Sequence, residues 1–138
     1  MFLVLPLLVI PLVIYAVLAL RRGTGVFDQQ LTSVGMMSSD MWTITVGDLI
    51  VMGSLILLFI EILRATQTHA SSIINHVLSM IVFIVAMLLF VMAPGFGTST
   101  FFIFILMTLL DVMAGFIVTI VSARRDFGVA DGAFGPKG

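Results

Sequence analysis

Cysteine is absent from all 138 residues, which excludes disulfides, thiolate metal sites, iron–sulfur clusters and a cysteine nucleophile. Charge is nearly as scarce. Only 9% of residues are Asp, Glu, Lys or Arg, against about a quarter in an ordinary soluble domain. The six Lys and Arg residues are scattered and the net charge is −1, so no basic footprint for nucleic acid exists. There is one Trp and one Tyr, and four Pro, none of them inside the second, third or fourth apolar runs. A nucleophile elbow, a phosphate loop, an HExxH zinc motif and a dinucleotide fingerprint are all missing, and the expectation is a protein that is not an enzyme and carries no cofactor.

What the chain does have is apolar length. Hydrophobic residues make up 61% of the sequence, and the mean hydropathy is +1.29. A chain this apolar could not cover its surface with polar groups in water, so lipid is its expected solvent. A bilayer span needs about 20 apolar residues. Four stretches come close to or meet that length: 2–20, 43–63, 73–93 and 100–122. They predict an all-α integral membrane protein, a single four-helix transmembrane domain over 1–122. The first stretch lacks a preceding positive residue and a small-residue cleavage pattern before Arg21-Arg22, so it reads as a retained anchor. Pro11, mid-stretch, is expected to kink or divide it.

Pro94-Gly95-Phe96-Gly97 is a compact turn signal, and Thr98, Ser99 and Thr100 offer N-cap hydroxyls after it. The last two spans are therefore expected to form a tight antiparallel hairpin. Residues 21–42 form a longer polar connection. There Phe27, Leu31 and Val34 recur at i, i+4 and i+7, which fits a short interfacial helix starting near Thr24 or Asp28 as well as it fits a polar loop. The segment 123–138 is glycine-rich and reads as a flexible tail that orders only against a partner. With four spans, Arg64, Arg124, Arg125 and Lys137 share one side and Arg21 and Arg22 the other, which favours cytoplasmic termini by four to two.

The polar residues inside the runs carry the functional question. Asp111 stands at the midpoint of the last span. A carboxylate at that depth must face the bundle interior, find a partner, or bind protons or ions. Thr108, Asp111, Gly115, Thr119 and Ser122 recur at steps of three or four, a small and polar stripe of the kind along which membrane helices pack closely. It supports either a helix-packing clamp or a proton or cation site. Gly47, Ser54 and Glu61 repeat every seven residues on the second span, a secondary polar face. On the same helix Asp48 suits the positive end of the helix dipole, and Arg64, at i+3 from Glu61, suits a local ion pair. A line of three carboxylates, Asp48, Asp111 and Glu61, is conceivable, although nothing in the sequence makes them converge.

His69 and His76 are the only histidines, seven residues apart at the start of the third span, with Asn75 beside the second. Their spacing permits a shared face and, at the outside, metal or haem ligation; ordinary interfacial polarity is the simpler account. Two functional classes follow. One is a small accessory or scaffolding subunit packing laterally in a larger membrane complex or homo-oligomer, with the bilayer and other membrane subunits as partners. The other is a small oligomeric proton- or cation-coupled transporter or channel working through Asp111.

The segment from Trp42 to Phe127, through Ser71-Ser72-Ile73-Ile74-Asn75-His76, Pro94-Gly95-Phe96-Gly97-Thr98-Ser99-Thr100 and Ala123-Arg124-Arg125-Asp126-Phe127-Gly128, resembles uncharacterised small membrane proteins of bacteria. The resemblance covers about two-thirds of the chain. It implies a bacterial inner-membrane address and brings no activity. The chain also shares with small multidrug exporters a four-helix size and a single mid-membrane carboxylate, but theirs lies on the first helix, where this chain has no acid, so only an architectural analogy holds.

Overall fold

A computed structural model describes residues 5–65 and 70–132, with side chains at 5–65 and 74–121. In chain order these residues form α1 (Val9–Arg22), a 3-10 turn (Thr24–Val26), β1 (Gln30–Gly35), β2 (Met41–Thr45), α2 (Val46–Ala65), α3 (Ala70–Met92) and α4 (Ser99–Gly132). Three of the helices carry stretches long and apolar enough to cross a bilayer: Val46–Ala65, Ile74–Met92 and Ser99–Val121. The protein is thus mostly helical and has the make-up of a multi-pass membrane protein.

Burial is inverted relative to a soluble bundle. Leu55, Ile56 and Phe59 on α2, Ile81, Ile84 and Leu88 on α3, and Phe116, Ile117 and Ile120 on α4 point outward. Ser54, Glu61, Asn75, Ser79, Thr108 and Asp111 point inward. That arrangement suits a lipid solvent, where an outward carboxylate costs far more than an outward leucine. α4 is the central element, packing against both α2 and α3.

The first apolar run behaves differently from its expected span of 2–20. Its described helix has 14 residues, about 21 Å at the usual rise per residue, short of the roughly 30 Å of a hydrocarbon core. The reason lies in its prolines. The helix begins at Val9, so Pro11 occupies its first turn, where a missing amide hydrogen costs nothing. Pro11 therefore does not kink a long helix; it sits inside the start of a short one. α1 buries Leu8, Pro11 and Tyr15 on one stripe and ends at Gly23, whose φ of +74° and amide bond to the Ala19 carbonyl close the last turn.

The connection at 21–42 contains no interfacial helix. After the 3-10 turn, β1 and β2 pair antiparallel, with Val34 opposite Trp42 and Thr32 opposite Ile44, and a register irregularity between Gln30 and Thr32. The helical spacing of Phe27, Leu31 and Val34 misleads because Trp42-Thr43-Ile44-Thr45 is a β-branched and aromatic run that supplies Leu31–Val34 with a strand partner. The same pairing delays α2, which starts at Val46 rather than at 43. The other end of the molecule also departs from expectation. α4 continues through Gly132, well past 122, so 123–132 extends the helix instead of opening a tail. Adding residues to a formed helix is cheap, and the sequence offers no proline before Pro136 to stop it. Residues 133–138 lie outside the described residues.

One end of the bundle is closed by aromatic packing. The Tyr15 ring stacks on Phe27 with centroids 4.1 Å apart, and it meets Phe96 at 5.5 Å and Phe101 at 4.7 Å. Its hydroxyl shares a 2.6 Å hydrogen bond with Thr98 Oγ1 and donates to the Gly95 carbonyl at 3.2 Å. Thr98 Oγ1 also accepts from the Phe101 amide at 3.2 Å, capping α4. Beside this knot Gly47 lets the starts of α2 and α4 approach: a Cβ there would meet Thr100 Oγ1 at 2.6 Å and the Phe27 carbonyl at 3.0 Å.

Candidate functional site

The α2 helix supplies the first member of the site. Gly47, Ser54, Leu58, Glu61 and Ala65 line its buried face, so the seven-residue repeat does mark one side of the helix. Glu61 is fully buried. Its Oε1 accepts from Asn75 Nδ2 at 2.8 Å, and its Oε2 accepts from the Leu7 amide just ahead of α1. The short helix thus brings a backbone donor from its start to a buried carboxylate.

Asp111 approaches from α4 and is only 3% exposed. Ser79 of α3 lies within interaction range of its carboxylate, and the charge of Glu61 is close enough to act on it. Unlike Glu61, Asp111 has a carboxylate oxygen, Oδ2, with no hydrogen-bond partner. Asn75 Oδ1 is likewise buried and unpartnered, and Ser79 Oγ is buried beside the Asp111 carboxylate. Two oxygens from two helices are therefore uncommitted in the interior of one small bundle, where an unmet polar group costs about 1–3 kcal/mol. His76 completes the group. It feels the charge of Glu61, and its ring lies so close to Gly115 that a Cβ at that position would collide with the imidazole.

The other polar residues of the two stripes serve the backbone. Thr108 Oγ1 donates to the Ile105 carbonyl at 2.7 Å, Ser54 Oγ to Ile50 at 2.6 Å and Thr119 Oγ1 to Gly115 at 2.9 Å. These are back-bonds within a helix, which satisfy a hydroxyl without offering it to a ligand. Thr119 is also exposed, so the stripe leaves the interior beyond Gly115. The side chain of Ser122 and all of His69 lie outside the described residues.

Asp48 is remote in role. Its Oδ2 accepts from Thr45 N and Thr45 Oγ1, each at 2.9 Å, while its amide donates back to Thr45 Oγ1 at 3.2 Å. That reciprocal pair is a capping box at the start of α2. Of the three carboxylates, two share the interior cluster and the third sets a helix end. Arg64 lies in the last turn of α2, one turn beyond Glu61. Among the described residues no group of three or more His, Cys, Asp or Glu side chains is arranged to hold a metal ion.

Asn75 and Ser79 are the site members that sequence reasoning passed over. Their signal was present: Asn75, Ser79, Val82 and Ala86 fall at steps of three and four and form the buried stripe of α3. The Leu7 amide had no signal, because a backbone donor from a broken first segment leaves no mark in side-chain pattern. No protein-family model matches the chain, and neither a curated protein nor a solved structure is significantly similar to it.

Proposed function

We propose that this small multi-pass membrane protein holds and releases a proton or monovalent cation at the Glu61–Asp111 cluster, as a transporter or channel or as the ion-coupled part of a larger assembly. The observation that carries this reading is the pair of unpartnered buried oxygens, Asp111 Oδ2 and Asn75 Oδ1, with Ser79 beside them and a second carboxylate that already has its donors. A purely structural clamp gains by pairing all its polar groups, since a half-satisfied buried network is worse than an apolar one. A site with an exchangeable ligand is incomplete when the ligand is absent.

The reading includes four membrane passages, the first made by the short α1 together with the residues just ahead of it and the last two a tight hairpin, with a bacterial inner-membrane address, cytoplasmic termini, and self-association. One protomer of this size has little room for both a core and a pathway. The accessory-subunit reading has its own support in an open apolar groove of about 300 Å³ between α1 and α2, lined by Ile10, Ile14, Leu18, Leu49, Gly53 and Leu57, which a partner helix would fill. Reconstitution separates the two. In liposomes with an internal pH dye and a tracer monovalent cation, the wild type should dissipate an imposed gradient of one of them. Asp111→Asn should lower that rate by about 100-fold or more with its oligomeric state intact. Equal rates for the two proteins would leave the accessory role as the better account.

A further inference from the structure

We propose that the ligand exchanged at this centre is a proton, and that His76 carries it between the edge of the bundle and Asp111. The inference rests on the reading of the Glu61–Asp111 cluster given above and assigns both the ligand and its route.

The ligand follows from counting donors and acceptors. Of the buried oxygens left without a partner, Asp111 Oδ2 and Asn75 Oδ1, only the carboxylate can take up a proton. The two carboxylates are also unequal. Glu61 receives the Asn75 amide and the Leu7 amide at the head of a helix, so both its oxygens have donors. Asp111 has Ser79 beside it and an oxygen with no partner. A single proton on Asp111 removes its buried charge and turns an unmet acceptor into a donor. No comparable economy is open to a cation that must lose its water.

The route follows from where His76 sits. It lies within the first two turns of α3, next to Asn75. It is half-buried, and it forms part of a groove of about 250 Å³ with Val77, Met80, Val112, Gly115 and Phe116. The bare backbone of Gly115, one turn along α4 from Asp111, gives the ring its seat. Imidazole thus sits against α4 one turn from the Asp111 position and within range of the Glu61 charge. It is also the side chain that ordinarily gains and loses a proton near neutral pH. In the transfer an imidazolium N–H bond breaks as an O–H bond forms at Asp111, leaving neutral imidazole and a neutral acid; the ring then takes a replacement proton from water at the edge of the bundle. The groups that bear on this step are Glu61 and, one turn farther along, Arg64 on α2, His76 itself on α3, and the Leu7 amide ahead of α1.

The test is time-resolved infrared spectroscopy of the full chain in nanodiscs after a pH jump, reading the carbonyl stretch of a protonated carboxylic acid. The wild type should show one band that follows pH, and Asp111→Asn should lack it. A band that survives in Asp111→Asn overturns the Asp111 site itself. If it is lost as expected, His76→Ala should form it about 100-fold more slowly, and added imidazole, which fits the vacated groove, should restore the rate. Wild-type kinetics in His76→Ala, or slow kinetics that imidazole leaves unchanged, overturn the route while leaving the Asp111 site standing. A band shift driven by sodium or potassium at fixed pH, without a protonated acid, overturns the proton as ligand. Should His76→Ala fail to assemble, His76→Gln keeps similar bulk without a titratable ring, and wild-type kinetics in it likewise overturn the route.

Discussion

The middle of α1 and the residues just ahead of it meet opposite kinds of surroundings. At Tyr15 the helix enters an aromatic knot in which the phenol stacks on Phe27 and its hydroxyl is bonded to both Thr98 and Gly95. At Leu7, eight residues earlier, the chain meets a polar cluster in which Glu61 has its donors while Asp111 and Asn75 each keep an unpartnered oxygen. Both regions are buried and both join segments far apart in sequence. The first is complete as it stands, and such a network rigidifies a fold. The second is complete only with something added. The difference teaches that polarity inside this bundle has two uses, and that hydrogen-bond completeness separates them better than depth or charge does.

The comparison can be broken at either region. The largest loss of stability is expected from Glu61→Ala, which strips two buried donors of their acceptor and should cost about 2–5 kcal/mol, read by unfolding in detergent micelles. A loss below 1 kcal/mol would mean that Glu61 is not the fixed member of the pair. Gly47→Ala should cost about 1–3 kcal/mol, because the new methyl meets Thr100 Oγ1 and the Phe27 carbonyl. Its flux per folded molecule should match the wild type, and altered ion selectivity would join the two regions functionally. Tyr15→Phe should cost about 1–2 kcal/mol by leaving the Gly95 carbonyl and Thr98 hydroxyl short of a partner. A change in proton or cation transfer larger than this loss of folded protein would contradict the division of roles.

Much of the interior was legible in advance. Asp111, Gly115, Glu61, Ser54 and Gly47 all occupy buried faces, because helical period and the cost of polar groups in lipid leave few other places for them. The limits of that reading are equally specific. The convergence of Glu61 with Asp111 depends on which helix α4 packs against, and one-dimensional spacing does not contain that. The hydroxyls of Thr108 and Thr119 look like site members on the stripe, yet back-bonding to Ile105 and Gly115 absorbs them. The β1–β2 pair escaped notice because Phe27, Leu31 and Val34 satisfy a helical period while their strand partner lies across the Met36–Asp40 turn. Proline position, more than proline presence, decided the first helix: Pro11 is harmless at the start of α1 and would break it at the middle.

The most direct test of the central claim, that the Asp111 region binds an exchangeable ion while the Tyr15 region is fixed, is the unfolding temperature in nanodiscs as proton and monovalent cation concentrations are varied separately. A ligand held only by the folded state raises that temperature with its own concentration. The wild type should show such a rise for one of the two ions, Tyr15→Phe should start lower and keep the same slope, and Asp111→Asn should be flat. A slope unchanged in Asp111→Asn, or no slope in the wild type for either ion, would contradict the account.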